Sequence, residues 1–363
     1  MGFRIAYLCG TKAWGGLEMN QVRNAVWMRD RGHSVTLFCL KDSPIYSAAL
    51  EKKISIFIIR QHRHHYDFLN AFRLHKALKV LKIQHLIFRA TFDMSIAASI
   101  GFLSRGKIKT HYFMEMALNN SKRHFFRTWR YSFFDSWVCT LPYLKEQVEK
   151  NTKFSAHKIQ IIPSGIDLNE FYPLDKVSSR EKLGLPINRK IIGLIGRIED
   201  KKGQMLALKA LQYTETDFLL LFVGEETRDS KSNYRKELEN YMKEQDLGGR
   251  VQFLNFKQNP SLVFSALDWT LMASDSETFG MVTLESIACG TPVIGSNAGG
   301  TISLLKNGEL GILFETKNPQ DLAEKINTAL LGNKKFCKKE LINFAKEFDY
   351  NLVCEKIGRL IIR

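Results

Sequence analysis

The sequence contains no apolar run approaching the ~20 residues that a membrane-spanning helix requires; the longest strand-like stretch, Phe218–Val223, is far too short. Its six cysteines (Cys9, Cys39, Cys139, Cys289, Cys337, Cys354) show neither C-x-x-C nor zinc spacing. Scattered and mostly inside apolar runs, they read as reduced core thiols of a cytosolic protein. No basic leader precedes Phe3–Cys9, which reads as a first β-strand, so a secretory signal is not expected. Ala6 stands where a myristoylation signal requires Ser or Thr. No spacing typical of RNA- or DNA-binding modules is present, and nucleic acid is not an expected partner. Neither candidate first turn gives G-x-G-x-x-G, and strand Val35–Leu40 ends without an acid for a ribose, which disfavours a nicotinamide-dependent oxidoreductase. The cluster Gln61-His62-Arg63-His64-His65 lacks a carboxylate or cysteine spaced to complete a metal site and reads as a solvated basic loop; no metal is expected.

What is present is ordinary globular composition, with 45% hydrophobic and 25% charged residues. A length of 363 residues suits two domains, each able to bury a core. The net charge of +16 is unevenly spread. Residues 1–170 hold 26 basic and 12 acidic side chains, whereas residues 171–363 hold 27 and 25. A positive field confined to one half attracts polyanions or an anionic membrane. In the same half, Lys122-Arg123-His124-Phe125-Phe126-Arg127-Thr128-Trp129-Arg130 runs on through Phe133, Phe134 and Trp137. On one helix, Phe126, Trp129, Phe133 and Trp137 would form a seam and Arg123, Arg127 and Arg130 another. That pattern fits a segment lying in lipid headgroups, or a helix that packs its aromatics into its own domain.

Strands alternate with helices throughout, which predicts an α/β chain with parallel sheets. In the first half, strand Arg4–Cys9 leads through Gly10–Gly16 into a helix over about 17–31. Strands follow at Val35–Leu40, Ile54–Ile59, His85–Phe88, Ile108–Phe113, Ser136–Cys139 and Ile159–Ile162. Pro163–Asp167 reads as a linker. The pattern then restarts with strand Lys190–Ile195, helix Gln204–Leu211 and strands Phe218–Val223, Val251–Leu254, Trp269–Met272, Pro292–Ile294 and Gly311–Phe314. Helices Pro319–Leu331 and about 339–361 close the chain. Two Rossmann-like domains are expected, 1–165 and 170–344, with the last helix, about 345–363, packing back on the first. Ligands of such sheets bind beyond the strand carboxyl ends.

The densest candidate site there is Ser274–Glu285. Glu277 stands in a loop before a helix that begins near Gly280, and Glu285 lies inside that helix, so the two carboxylates can reach different hydroxyls of one ligand. The helix start offers unpaired N–H groups and a positive dipole end to an anion. Arg197 and Lys202, flanked by Gly196 and Gly203, follow the first strand of the same half and could clamp a diphosphate.

With these residues in view, the sequence resembles glycosyltransferase family 4, the retaining glycosyltransferases of GT-B architecture. The resemblance rests on Glu277–Glu285 with Phe279-Gly280, Gly196-Arg197 with Lys202-Gly203, and Pro292-Val293-Ile294 followed by Gly299-Gly300-Thr301. Gly15-Gly16-Leu17-Glu18, Gly32–Thr36 and Pro163–Asp167 match as well, so it covers the whole chain in order. It implies GT-B architecture, two Rossmann-like domains facing each other across a cleft. The donor, a nucleotide sugar, would bind the C-terminal half and the acceptor the N-terminal half. Arg197 and Lys202 would neutralise the donor diphosphate, with the amides of Phe279, Gly280, Met281 and Val282 completing the phosphate site. Glu285 would bind the ribose and Glu277 the transferred sugar. Phe256 lies where the base-binding segment runs, Gly224 belongs to the donor site, and Gly15 and Gly16 approach the diphosphate. His111 is the candidate active-site histidine, with Glu115 as an alternative contact. Ser164, Gly224-Glu225-Glu226, Asn255 and Ser303 depart from the family pattern and obscure the donor's identity.

The implied function is retaining, metal-independent hexosyl transfer from a nucleotide sugar, UDP being favoured over GDP, with no cofactor. Members that build lipopolysaccharide core, capsule or lipid-linked sugars work at the inner face of the cytoplasmic membrane. The basic half suits that setting, with Arg123, Arg127, Trp129 and Arg130 meeting anionic lipid. A non-hydrolysing sugar-nucleotide epimerase and a binding protein without transfer activity remain the alternatives.

Overall fold

Long runs such as Ile191–Ile195 and Leu219–Val223 are apolar at every position, the signature of strands covered on both faces. A computed structural model, which describes all residues except Met1, Tyr66, Asn119, 227–232, 256–258 and Arg363, shows the layered arrangement that such runs demand. The chain divides into two compact units, Met1–Ser164 with Tyr350–Arg363, and Gly165–Asp349.

The first unit is built on a parallel sheet of β1 (Arg4–Cys9), β2 (Ser34–Leu40), β3 (Ser55–Ile59), β4 (His85–Phe88), β5 (Lys109–Met114), β6 (Ser136–Cys139) and β7 (Ile159–Ile161), in the order β3-β2-β1-β4-β5-β6-β7. Its core joins Ile5, Tyr7, Leu37, Ile87 and Val138 to Val353, Cys354, Ile357 and Ile361 of the last helix, Tyr350–Ile362. Tyr350 stacks on Trp27 at 5.1 Å and lies under Arg31 at 5.3 Å, which fixes the start of that helix on the unit. Where one terminal helix was expected, two form. Helix Lys338–Lys346 ends before Ile166 donates its N–H to the Phe348 carbonyl at 2.9 Å, and the chain turns over 347–349 before the last helix begins.

The second unit carries β8 (Ile191–Ile195), β9 (Leu219–Val223), β10 (Val251–Leu254), β11 (Trp269–Met272), β12 (Val293–Ser296) and β13 (Gly311–Phe314), again parallel, in the order β10-β9-β8-β11-β12-β13. One face packs Ile192, Leu194, Phe222, Leu271 and Phe314 on Leu322 and Ile326. The other packs Ile191, Leu219 and Leu221 on Val263 and Leu267. Each fully buried aliphatic or Phe side chain contributes roughly 1.5–3 kcal/mol, so both layers are needed to hold the central strands.

In each sheet the strand order reverses beside the first strand, between β1 and β4 and between β8 and β11. The loops leaving these four strands at their carboxyl ends border the crevices where doubly wound sheets bind ligands.

Five of the six cysteines are buried; Cys337 is exposed, contrary to a uniform core reading. The aromatic stretch also departs from expectation. Its helix covers only Phe125–Tyr131, and Trp137 lies fully buried in β6, because Phe134 and Trp137 turn inward onto Tyr112 and Tyr131. No helix among the described residues is long and apolar enough to cross a membrane.

Candidate functional site

At the second switch point the chain leaves β8 through Gly196 and makes a short 3-10 turn over Asp200–Lys202. Gly203 ends that turn in a left-handed conformation (φ +80°), and a Cβ there would fall 2.3 Å from the Ala273 carbonyl oxygen just after β11. Only glycine allows the two loops to approach so closely. The approach carries Lys202 across Gly196, so that its Nζ donates to Glu277 Oε1 at 2.5 Å. Ser274 Oγ donates to the same oxygen at 2.8 Å. Side-chain exposures of 26% for Lys202 and 19% for Glu277 leave the pair reachable from solvent.

The Glu277 loop is itself fastened from β12. Ser296 Oγ donates to the Ser274 carbonyl at 2.7 Å, and Gly300 N–H to the Glu277 carbonyl at 2.6 Å. A Cβ on Gly299 would sit 2.1 Å from the Glu277 carbonyl oxygen. The Gly299-Gly300-Thr301 motif thus supports the carboxylate loop by backbone-to-backbone packing. Gly280, at φ +91°, then caps helix Met281–Ala288, whose first amides face the end of this loop. Glu285 lies one turn within that helix. The Phe279 side chain is buried against Phe348 at 6.0 Å, so only its backbone remains for a ligand, along with the amides of Met281 and Val282.

The structure therefore brings Lys202, Glu277 and the Gly280 helix start together. Arg197, with a side chain 50% exposed, pairs instead with Glu199 at 3.2 Å. Gly224 is a packing residue, for a Cβ there would fall 1.9 Å from the Gly196 carbonyl oxygen. Phe256 lies outside the described residues.

The first unit's switch point is charged too, but its acids are taken up within the unit. Glu18 takes the Gly15 N–H at 2.9 Å and the Thr11 hydroxyl at 3.4 Å, fixing the glycine loop ahead of helix Gly16–Asp30. A Cβ on Gly16 would meet no atom within 4 Å, so the loop surface there is bare. Asp93, just beyond β4, accepts the Gly10 N–H at 3.1 and 3.2 Å and bonds His62 Nε2 at 2.8 Å. Both side chains are fully buried. This corrects the reading of residues 61–65 as a solvated loop: His62 turns inward because Asp93 needs a partner. Burial alone would lower the His62 pKa, but the hydrogen bond and charge of Asp93 raise it instead. Burial raises that of Asp93, against the opposing pull of His62 and the Gly10 amide. Glu115 ion-pairs with buried Arg89 and accepts from Asn20 Nδ2 at 3.3 Å; its carboxyl is pushed up by burial and drawn back by Arg89.

His111, the expected active-site histidine, does not stand with these groups. It occupies the first half of β5, where its Nε2 meets His85 Nδ1 at 3.1 Å and its Nδ1 meets Ser136 Oγ at 2.8 Å. Buried and beside another imidazole, it is held neutral, its pKa lowered to about 3. Sequence reasoning missed Asp93 and Arg89, gave Ser274 no role of its own and read His62 as solvated. One signal existed: Asp93 and Glu115 are the only acids between residues 68 and 134, against 12 lysines and arginines.

That stretch supplies a distinctive surface. Phe125, Phe126 and Trp129 are 72%, 61% and 53% exposed, with Arg123 and Arg127 among them. Arg130 instead turns to Ser95 Oγ at 3.0 Å. Helix Phe68–Val80 exposes Phe68, Leu69 and Phe72 beside Arg73, Lys76 and Lys79. Within residues 68–134 no acid is exposed, since Asp93 and Glu115 are both turned into the unit. Among the described residues no group of three or more His, Cys, Asp or Glu side chains could hold a metal ion.

Residues 14–170 match the family model for Glycosyltransferase Family 4, and residues 175–348 that for Glycosyl transferases group 1. Among curated proteins, the D-inositol 3-phosphate glycosyltransferase of Corynebacterium jeikeium is 30% identical over 185 residues, 48% of this chain and 44% of that protein. Its counterpart from Acidothermus cellulolyticus is 31% identical over 182 residues, 48% of this chain and 40% of that protein. The match thus spans less than half the length of either relative. Solved structures share the fold along nearly the whole chain. Anabaena Alr3699/HepE in complex with UDP and glucose has a TM-score of 0.83 at 20% identity, covering 98% of both chains. A glycosyltransferase from Rickettsia africae reaches 0.86 at 19%, covering 99% of this chain and 98% of that one. The lipopolysaccharide outer core galactosyltransferase WaaB reaches 0.77 at 17%, covering 99% of both.

Proposed function

The chain belongs to glycosyltransferase family 4 and has the GT-B fold, and from that premise we propose that it moves a hexosyl unit from a UDP-sugar to a saccharide carried on lipopolysaccharide core, capsule or lipid. The observation that carries this reading is the Lys202–Glu277 pair set beside the Gly280 helix start, at the switch point of the second sheet. Departure of a nucleoside diphosphate develops negative charge, and an ammonium with a helix N-terminus stabilises that charge without reorganising. Glu277 keeps Lys202 poised in the crevice and offers its second oxygen to a sugar hydroxyl. Glu285, a turn into the helix, serves the ribose. Arg197 swings from Glu199 to the diphosphate when donor binds, a short move for a half-exposed side chain.

Transfer proceeds with retention and needs no metal, since protein cations neutralise the leaving group. UDP is favoured because Anabaena HepE, of the same fold, has been solved with UDP-glucose. The acceptor is taken as membrane-borne because residues 68–134 of the first unit display exposed aromatic and basic side chains and no exposed acid, a combination suited to anionic headgroups. The protein then works peripherally at the inner face of the cytoplasmic membrane.

A panel of UDP-, GDP- and ADP-sugars, scored for donor hydrolysis with chelator present, tests the core of this reading. Release of UDP from one UDP-sugar is the expected result. Turnover that stops with chelator contradicts metal independence, and an epimerised nucleotide sugar formed without any acceptor favours epimerase chemistry over transfer.

A further inference from the structure

A cavity of about 190 Å3 lies at the carboxyl end of β3, the edge strand of the first sheet. Phe57 and Ile59 of β3, Leu74 of helix Phe68–Val80 and Ile96 of helix Met94–Ser104 give it an apolar lining. Arg60 and Arg73 stand exposed at its rim. His62, anchored to Asp93, forms its inner wall.

The two arginines are exposed and available to a ligand. Among the described residues neither guanidinium has an ion pair or a hydrogen bond. The acids nearest in sequence already have partners, Glu51 in Lys52 at 3.2 Å. Asp67 caps its helix by accepting the Asn70 and Arg63 N–H groups, and Asp93 holds His62 and Gly10. Both arginines line the one cavity, and two guanidiniums suit the oxygens of a phosphate. A bare phosphate would leave the apolar lining wet, so the occupant that satisfies both parts has a charged head and a hydrocarbon body. Access suits such a molecule, because the outer side of helix Phe68–Val80 carries Phe68, Leu69 and Phe72 without an exposed acid.

We propose that this cavity binds an alkyl or isoprenyl phosphate, the chain lying against Phe57, Ile59, Leu74 and Ile96 and the phosphate between Arg60 and Arg73. The site deepens the reading of a lipid-borne acceptor and rests on it, as the place where the carrier is held while its saccharide is extended.

Decyl phosphate, kept below its critical micelle concentration, is the probe, titrated into the full chain and followed by hydrogen exchange in β3 and helix Phe68–Val80. Saturable protection of both elements is expected. The exposed-site double variant Arg60→Ala/Arg73→Ala should bind at least tenfold more weakly, as should inorganic phosphate or decyl maltoside offered to the natural chain. Equal binding by the double variant overturns the proposal. So does inorganic phosphate binding as tightly, which leaves only an anion site, or decyl maltoside doing so, which leaves only a greasy patch. Donor hydrolysis involves no acceptor and tests the transferase reading separately, so the two failures are distinguishable.

Discussion

The two switch points share one topology and differ in how they treat charge. Beyond β1 and β4, the acids that border the crevice are matched inside the protein: Glu18 by the Gly15 amide and Thr11, Asp93 by His62 and Gly10, and Glu115 by Arg89. Beyond β8 and β11, Arg197, Lys202 and Glu277 are also paired, but in contacts open to solvent. A buried pair costs a great deal to break and so fixes backbone; an exposed pair is exchanged cheaply for a ligand. The first crevice is thus a rigid wall whose loop geometry is locked, and the second is the place where charge can be handed to a substrate.

Substitutions can break that contrast in graded steps. Asp93→Ala strips a buried imidazole and the Gly10 amide of their partner and should lower stability by roughly 3–5 kcal/mol in urea unfolding, whereas Glu277→Ala should cost under about 1 kcal/mol. Equal losses would erase the distinction between the crevices. Lys202→Ala or Glu277→Ala should instead reduce transfer at least about a hundredfold, a barrier increase of about 2.7 kcal/mol, with little change in unfolding. Near-normal turnover of either would remove the pair from the chemistry.

Arg123→Ala/Arg127→Ala tests the first unit's outer face. At about 1 kcal/mol per basic residue near an anionic surface, vesicle partitioning at low salt should fall roughly thirtyfold. Unchanged co-sedimentation would separate the transferase reading from its membrane setting. The smallest effect concerns His111. Its pKa is lowered from 6.5 to about 3 by burial, so the unfolded chain binds more protons between those values and stability falls as pH drops below about 6.5. His111→Asn should flatten that slope, by up to roughly 1.4 kcal/mol per pH unit, in unfolding curves at pH 7, 6 and 5.

The alternation of strands and helices was legible because apolar runs of four to six residues, bounded by glycine and polar turns, leave little choice in a parallel sheet. Strand β1 falls where the sequence predicts it, and β8 to within a residue. The second crevice was legible as well, since its glycines and charges lie close together in sequence. What could not be read depends on distant partners. His62 looks like a surface residue until Asp93, 31 positions on, is seen beneath it. The aromatic seam over 126–137 has helical spacing, yet Trp137 belongs to a strand because its neighbours in space are Tyr112 and Tyr131. His111 is a strand residue three positions before the end of β5, its register placing it opposite Ile87, and no local pattern reveals register.

The loops after β8 and β11 are proposed to receive a nucleoside diphosphate, and the rest of the chemistry depends on that contact. Hydrogen exchange of the full chain with and without saturating UDP tests it directly. Slowed exchange is expected at residues 196–203 and 278–284, and its loss in Lys202→Ala at the same UDP concentration. Protection confined to other segments, or none with UDP, GDP or ADP, would contradict it.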